Sequence, residues 1–483
     1  MTHPDWFLGF ESLETEHTEA LALEVIGEIP EELFGTLYRN GPARHDVYGE
    51  RLQHWFDGDG MVHAFSLDES GVQYRNRFVQ SEGHREEDAK RRRVYGRFGT
   101  RPAGNFIQRF LHRAGGKNGQ NTSVHLHGDA LFAFSEGGKP MRLHPVTLAS
   151  LGEDDLNGLI GDREGYSAHP RFDEQTGELW NFTTLFGKEP RTRVLCRDAA
   201  GHTVCVADFA MPLPSMVHDF ALTRTHAIIK YDPYVLPRVP VGLILGQKSY
   251  GQSLSWKPEL GGTIALVPRD GGSPRIVTME PRLAVHVIHA FDDEATGEVV
   301  LDILSYPDGS VMNVFGEAMR GRIDTDATTV PERVRIGRSG AARIERLSEG
   351  SIELPRHLAP IGAPLRAVWG VASQGPRSVI STPALIDVEN VSTTLSPIAP
   401  GEYYGECVPV RKRGGDRDID AWLLTVVLDT ARRRSELRIL DGADLSLPPV
   451  ARAIVPHAIP FGFHGSFSTT REVDRAVTAL EPH

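Results

Sequence analysis

The chain is a succession of hairpins. "HAFSLDESGVQYRNRFV", "SVHLHGDALFAFSEGGKPMRLHP" and "TIALVPRDGGSPRIVTM" each set β-rich runs across a turn of Gly, Asp or Ser. "GTLYRNGP", "EVVLDILSY", "AARIERLS", "AWLLTVVLDTARRRSELRILDG" and "ARAIVPH" carry the same signal toward the C-terminus. Helical periodicity is scarce; its clearest instance is a helix over 103–114, where Phe106, Ile107, Phe110 and Leu111 mark one apolar face. With 49 Gly and 32 Pro in 483 residues, turns are frequent and short elements are favoured over long helices. An all-β chain of this length, with hairpins spread evenly and no linker, suits a β-propeller occupying 1–483 as one domain. No WD-type repeat recurs, so blade number cannot be counted from periodicity. The Gly-rich "VRKRGGDRD" reads as a hairpin loop inside a blade rather than a boundary.

Composition narrows the setting. A net charge of −12 disfavours nonspecific nucleic-acid binding, and no nucleic-acid partner is expected. The one basic run, "KRRRVYGRFGTR" from Lys90, reads as a solvated face, with anionic lipid headgroups as its other use. No apolar stretch approaches the roughly 20 residues of a spanning helix. The N-terminus lacks the basic and apolar regions of a secretory signal. Three cysteines, Cys196, Cys205 and Cys407, are too few for a disulfide framework, and a cytoplasmic location is expected.

Four of the 20 histidines need explaining. His169 in "GYSAHPRFD", His218 in "PSMVHDFAL", His286 in "LAVHVIHAFDD" and His464 in "PFGFHGSF" each lie at or near a β-type run among small or apolar residues. They are scattered through the chain, unlike the local spacing of a zinc finger or an H-E-x-x-H helix. A propeller would bring them together, because inner strands of separate blades converge on one axis. Singly, each also reads as a satisfied core histidine.

The surrounding motifs decide between these readings. "GTLYRNGP", "WFDGDGMVHAF", "LVPRDGG", "YGECVPV" and "SELRILDG" resemble stretches of the carotenoid cleavage oxygenase family, and "SAHPRFD", "VHDFALT", "HVIHAFD" and "FGFHGSF" resemble its four iron-histidine motifs, in order, over nearly the whole chain. "FGTRPAG" and "SEGGKPMRL" are most similar to its cyanobacterial apocarotenoid-cleaving branch. The resemblance implies a seven-bladed β-propeller with a capping loop and helix region over an axial Fe2+. It implies His169, His218, His286 and His464 as ligands, a suitable set for ferrous iron. It implies Glu136, Glu353 and Glu406 as carboxylates that orient these imidazoles, and His464 as the ligand without a carboxylate partner. Thr122 matches a position whose methyl crowds a coordination site, and Phe56 and Phe463 match tunnel positions. Without the family, the same residues read as surface carboxylates, a strand threonine and core aromatics.

One departure stands in the third histidine motif, where His289 replaces the family's asparagine. Three residues apart on a strand, His286 and His289 point to opposite faces, so one of them faces the axis; the motif favours His286. The activity implied is insertion of O2 across a C=C bond of an apocarotenoid to give two carbonyl products, with retinal the expected one. Stilbene-cleaving relatives place a Lys immediately before the first glutamate, where this chain has Ser135, and their upstream Tyr has no clear match in "YGRFGTRPAGN". The other readings are stilbene cleavage, a retinoid isomerohydrolase-like reaction, and a non-enzymatic propeller serving as a binding platform. The apolar "YVLPRVPVGLILG" and the 103–114 helix fit a tunnel mouth at a membrane surface, or the core of capping loops.

Overall fold

The hairpins form as the turn chemistry directs. Asp173 and Asp293 open closely similar turns, "DEQTG" and "DEATG". In both, the aspartate side chain accepts the amide two residues on, at 3.1 Å, and its carbonyl accepts the glycine amide at 2.7 Å. Gly177 (φ +73°) and Gly297 (φ +69°) supply the left-handed residue that ends each turn. Strands Arg171–Asp173 and Leu283–Asp293 enter these turns, and strands Glu178–Leu185 and Glu298–Tyr306 leave them.

The computed structural model describes residues 3–111, 116–162 and 164–480. Among these, five separate sheets of four or five strands follow one another along the chain. A ten-stranded sheet joins the two ends of the chain. Strand His17–Gly27 pairs with Ala451–Val455, and strand Gly35–Arg44 pairs with Gly465–Thr469. N- and C-terminal segments therefore share ladders, and the architecture is an all-β propeller. Apolar clusters fill the spaces between neighbouring sheets; one joins Ala221, Ile228 and Leu266 to Val287, Leu301 and Val334.

One regularity positions the site. In each of the five separate sheets, one edge strand begins at, just after or around a residue of interest. Strand Ser123–His127 follows Thr122, Arg171–Asp173 follows His169, and Phe220–Leu222 follows His218. Leu283–Asp293 contains His286, and Glu353–Arg356 starts on Glu353. In the ten-stranded sheet, Glu406 lies between Glu402–Tyr404 and Val408–Arg411 at one edge, and His464 precedes Gly465–Thr469 at the other.

The "VRKRGGDRD" stretch connects strands Val408–Arg411 and Ala421–Asp429, as a hairpin loop. The helix expected over 103–114 runs Phe106–Leu111; residues 112–114 lie outside the described residues. The basic run corrects its sequence reading in part. Lys90, Arg91 and Arg92 are exposed, but Arg93 and Arg97 are buried. Arg97 reaches Asp59 at 3.0 Å and Glu87 at 2.7 Å, and Arg93 Nε lies 2.9 Å from Glu50. Lys117 completes the network at 2.6 Å from Asp59. Of the six cations in the run, Arg97 is thus held in a buried ion network and Arg93 is buried against the exposed Glu50, while Lys90, Arg91, Arg92 and Arg101 face solvent; a cation held by buried carboxylates cannot also do so.

Candidate metal centre

The "FGFHGSF" stretch shows how a histidine is delivered to the axis. The Phe463 amide donates to the Asn40 carbonyl at 2.9 Å, and the His464 amide to that of Thr122 at 3.0 Å. Backbones pass so closely that a Cβ on Gly465 would stand 2.2 Å from the Tyr38 oxygen, and one on Gly41 2.4 Å from the Gly462 Cα. The small residues around His464 are what let three backbone segments converge there.

His169, His218, His286 and His464 each offer a ring nitrogen, and these four atoms lie within 4.8 Å of one another. The Nε2 atoms of His169 and His218 are 2.9 Å apart, and those of His286 and His464 are 3.2 Å apart. On the far side of the rings, His286 Nδ1 lies 2.5 Å from Glu353 and His464 Nδ1 2.8 Å from Glu406. His218 Nδ1 lies 2.7 Å from Glu136. The carboxylate distribution therefore differs from the expectation. His464 has a carboxylate, and His169 is the imidazole without a close one, with Asp219 at 3.9 Å. The reason is local: Asp219 is already occupied by Arg171 at 2.6 Å and by the amides of Phe220 and Val287 at 2.7 and 2.8 Å.

Electrostatics follow this layout. Burial and the three neighbouring imidazoles press His169 well below the ordinary histidine range. Burial likewise takes His464 down to about 4, against the pull of Glu406. For His218 burial acts the same way, but the charge of Glu136 outweighs it and the pKa is raised. Glu406 lies well below the carboxylate range: burial works to raise it, and Arg356, Arg39 and His464 overcome that.

The arrangement fits a metal ion. With Glu353 and Glu406 holding protons on the Nδ1 atoms, His286 and His464 set two Nε2 lone pairs face to face at 3.2 Å. A divalent cation turns that repulsion into coordination, and buried neutral imidazoles backed by carboxylates suit a first-row ion.

His289 points elsewhere. Its Nε2 donates to the Ala363 carbonyl at 2.8 Å, and its ring packs on His357 with centroids 4.5 Å apart. Strand alternation alone does not separate the two histidines, because the pairing slips on both sides of Val287. Thr122 is buried, and its hydroxyl donates to Asn121 at 3.2 Å. Phe56 and Phe463 stand edge to face at 5.6 Å, and an aromatic row continues through Phe98, 5.3 Å from Phe56, to Tyr250, 5.7 Å further. Ser135 donates to Asn118 at 2.7 Å. Sequence reasoning did not single out Arg39, Arg171, Asp219, Tyr306 or Arg356. Their signal was adjacency: Asp219 follows His218, Arg171 follows His169 by two, and Arg39 lies inside "GTLYRNGP".

A propeller with four axial histidines and carboxylates behind three of them defines the class. Residues 10–469 match the family described as retinal pigment epithelial membrane protein, and the chain belongs to this family, that of the carotenoid oxygenases. It is 32% identical to apocarotenoid-15,15'-oxygenase of Synechocystis sp., covering 96% of each chain. It is 27% identical to a carotenoid cleavage oxygenase of Mycobacterium tuberculosis, covering 96% of this chain and 97% of the other. Isoeugenol monooxygenase of Pseudomonas nitroreducens is also 27% identical, over 92% and 93%. Among solved structures, cobalt-substituted Synechocystis ACO superposes with a TM-score of 0.87 at 30% identity, covering 96% of this chain and 98% of that one.

Proposed function

We propose that this protein is a ferrous-iron dioxygenase that cleaves one C=C bond of an apocarotenoid with O2, giving two carbonyl products, retinal among them. The observation that carries the reading is the convergence of four imidazole nitrogens within 4.8 Å beside an aromatic row. His169, His218, His286 and His464 would hold the iron, which supplies the one-electron chemistry that lets O2 react with a polyene. Glu136, Glu353 and Glu406 keep the Nδ1 protons of three ligands in place and so aim the Nε2 lone pairs inward. Phe56, Phe463, Phe98 and Tyr250 offer an apolar wall that favours a polyene and excludes water from beside it. Thr122 borders the centre and narrows the room there. Metal analysis with O2 uptake and product masses from apocarotenals of graded length tests the reading: about one iron per chain and two carbonyl fragments per O2 are expected. Iron-loaded protein that consumes no O2 with any apocarotenal would overturn it.

Stilbene cleavage is disfavoured by Ser135, whose hydroxyl is spent on Asn118 where the stilbene-cleaving relatives place Lys. A phenol oxygen finds no cation there, and a site without the matching polar partner loses that substrate strongly. Side-by-side turnover of an apocarotenal and a 4-hydroxystilbene on one preparation separates the two; faster stilbene cleavage reverses the assignment.

We propose seven blades. The support is that the ten-stranded sheet divides at the pairing of His17–Gly27 with Ala451–Val455, leaving one half from the C-terminal strands and one closed by Gly465–Thr469. Read so, the two halves and the five separate sheets would make seven. A capping region over the iron and a membrane contact are supported by one apolar surface. Phe106, Ile107, Val239 and Val241 are all more than half exposed, and Gly246 packs against the Arg109 carbonyl, so the two segments adjoin. No described helix is long and apolar enough to cross a membrane. A cytoplasmic protein resting on a bilayer through this surface fits both facts. Replacing Ile107 and Val241 with Ser should cut co-sedimentation with vesicles; unchanged co-sedimentation removes the proposal.

A further inference from the structure

The three carboxylates behind the histidines are not equivalent. Among the described residues no arginine or lysine pairs with Glu136; its Oε1 lies 2.7 Å from His218 Nδ1 but out of line for a hydrogen bond, and its side chain is 38% exposed. Glu353 is held by two neutral donors besides His286: the Tyr306 hydroxyl and the Leu354 amide, the latter at 3.1 Å. Glu406 alone is gripped by guanidinium groups. Arg39 donates to Oε2 and Arg356 Nε to Oε1 at 2.9 Å, while the Gly465 amide adds a further bond at 2.9 Å. The same two arginines also donate to the backbone that carries the histidine: Arg39 to the Phe463 carbonyl at 2.8 Å and Arg356 to that of Gly465. Glu406 is wholly buried and Arg39 is buried, while Arg356 stands at the edge of the group.

A carboxylate that accepts an imidazole Nδ1–H pushes electron density through the ring to Nε2, more strongly the more of its own charge it keeps. Glu136 is partly open to solvent, which screens its charge, and Glu353 shares its charge with dipoles. Glu406 faces two full positive charges in a desolvated pocket, where charge acts at longer range than in water. The two ligands that hydrogen-bond a carboxylate therefore differ as donors: His286 is strengthened by Glu353, while His464 is held rigidly but with its carboxylate neutralised.

We infer that Arg39 and Arg356 are positioning residues that act on the bound metal through Glu406 and His464, fixing that ligand in place while withholding electron density from it. The inference rests on the metal reading above. Its consequence is a centre biased toward the reduced divalent ion, since a nearby cation and a weaker donor both disfavour the trivalent state. Arg39 also touches the substrate wall through the Phe463 carbonyl, whereas Arg356 reaches only Glu406 and the Gly465 carbonyl, so a change at Arg356 reads the effect on the metal.

The test uses the full chain loaded separately with ferrous and cobaltous ion. Arg356 is the position to change, since its side chain is 26% exposed and Arg39 is buried. Arg356→Met keeps the apolar stem and removes the charge, and Arg356→Lys restores the charge. Arg356→Met should show a lower iron midpoint potential, faster autoxidation of the ferrous form and displaced visible absorption bands of the cobalt form. Arg356→Lys should return all three toward wild type. An Arg356→Met protein with wild-type potential and cobalt spectrum overturns the inference, whatever happens to its thermal stability, because the arginine would then be a structural tie alone. Wild-type protein that takes up neither ion fails at the earlier step and overturns the metal reading itself.

Discussion

At the scale of single residues, the pair His286 and His289 separates a metal role from mere burial. His286 Nε2 faces His464, whereas His289 is spent on the Ala363 carbonyl. His286→Ala should abolish stoichiometric metal binding, while His289→Ala should retain it and lose only packing; metal analysis of both proteins reads this directly. The carboxylates give a graded pair. Glu353→Gln keeps the volume but weakens the grip on His286 Nδ1, and should lower metal affinity by roughly ten- to a hundredfold. Tyr306→Phe removes one donor to Glu353 and leaves the carboxylate, and should cost about 1–3 kcal/mol of stability with a smaller change in affinity. Metal titration and denaturant unfolding of the two proteins distinguish these effects.

At the scale of elements, turns fix where strands begin and so which residues reach the axis. The "DEATG" turn ends on Gly297 at φ +69°, and an added Cβ would meet only the end of the Arg338 side chain, at 3.0 Å. Gly297→Ala should therefore cost about 1–2 kcal/mol from the left-handed backbone alone, with metal content unchanged. Thermal unfolding alongside metal analysis checks it; lost metal would mean that the turn transmits its strain to His286. Just upstream, the irregular pairing around Val287 leaves its amide for Asp219 at 2.8 Å, tying the strand that holds His286 to the one that follows His218. An irregularity in the ladder here serves the centre, because it frees a backbone donor to fix a neighbouring blade.

At the scale of the whole molecule, acid stability follows from histidines outside the centre. Burial is the main cause that takes His45, His54 and His63 to about 3, from 6.5 unperturbed. Their folded pKa values are depressed, so the stability they contribute is present above about pH 6.5 and is lost as pH falls toward 3. Unfolding in that window should take up protons, and the urea midpoint should fall steadily from pH 6.5 to 4. His45 has both ring nitrogens buried and without a hydrogen-bond partner among the described residues, so His45→Leu should flatten part of that slope. An unchanged slope would assign the acid sensitivity to the ion pairs instead.

Much of this was legible in the chain itself. Hairpins declare themselves because a turn needs particular residues at particular places, and period-2 patterning is local. The four histidines and three glutamates could be proposed from the chain because each sits in a short motif. What tertiary structure alone decided was pairing across distance. Which imidazole meets which carboxylate depends on how edge strands from different sheets converge, and here Glu406 goes to His464 while His169 goes without. Arg93 and Arg97 look like part of a surface run until the fold brings Glu50, Asp59 and Glu87 to them. The same holds for Arg39 and Arg356, which meet at Glu406 from 317 residues apart in numbering. Sequence specifies local conformation through short-range sterics and hydrogen bonding. The charge that a buried group feels is set by neighbours the chain delivers only once it is folded, when desolvation makes each of those neighbours count.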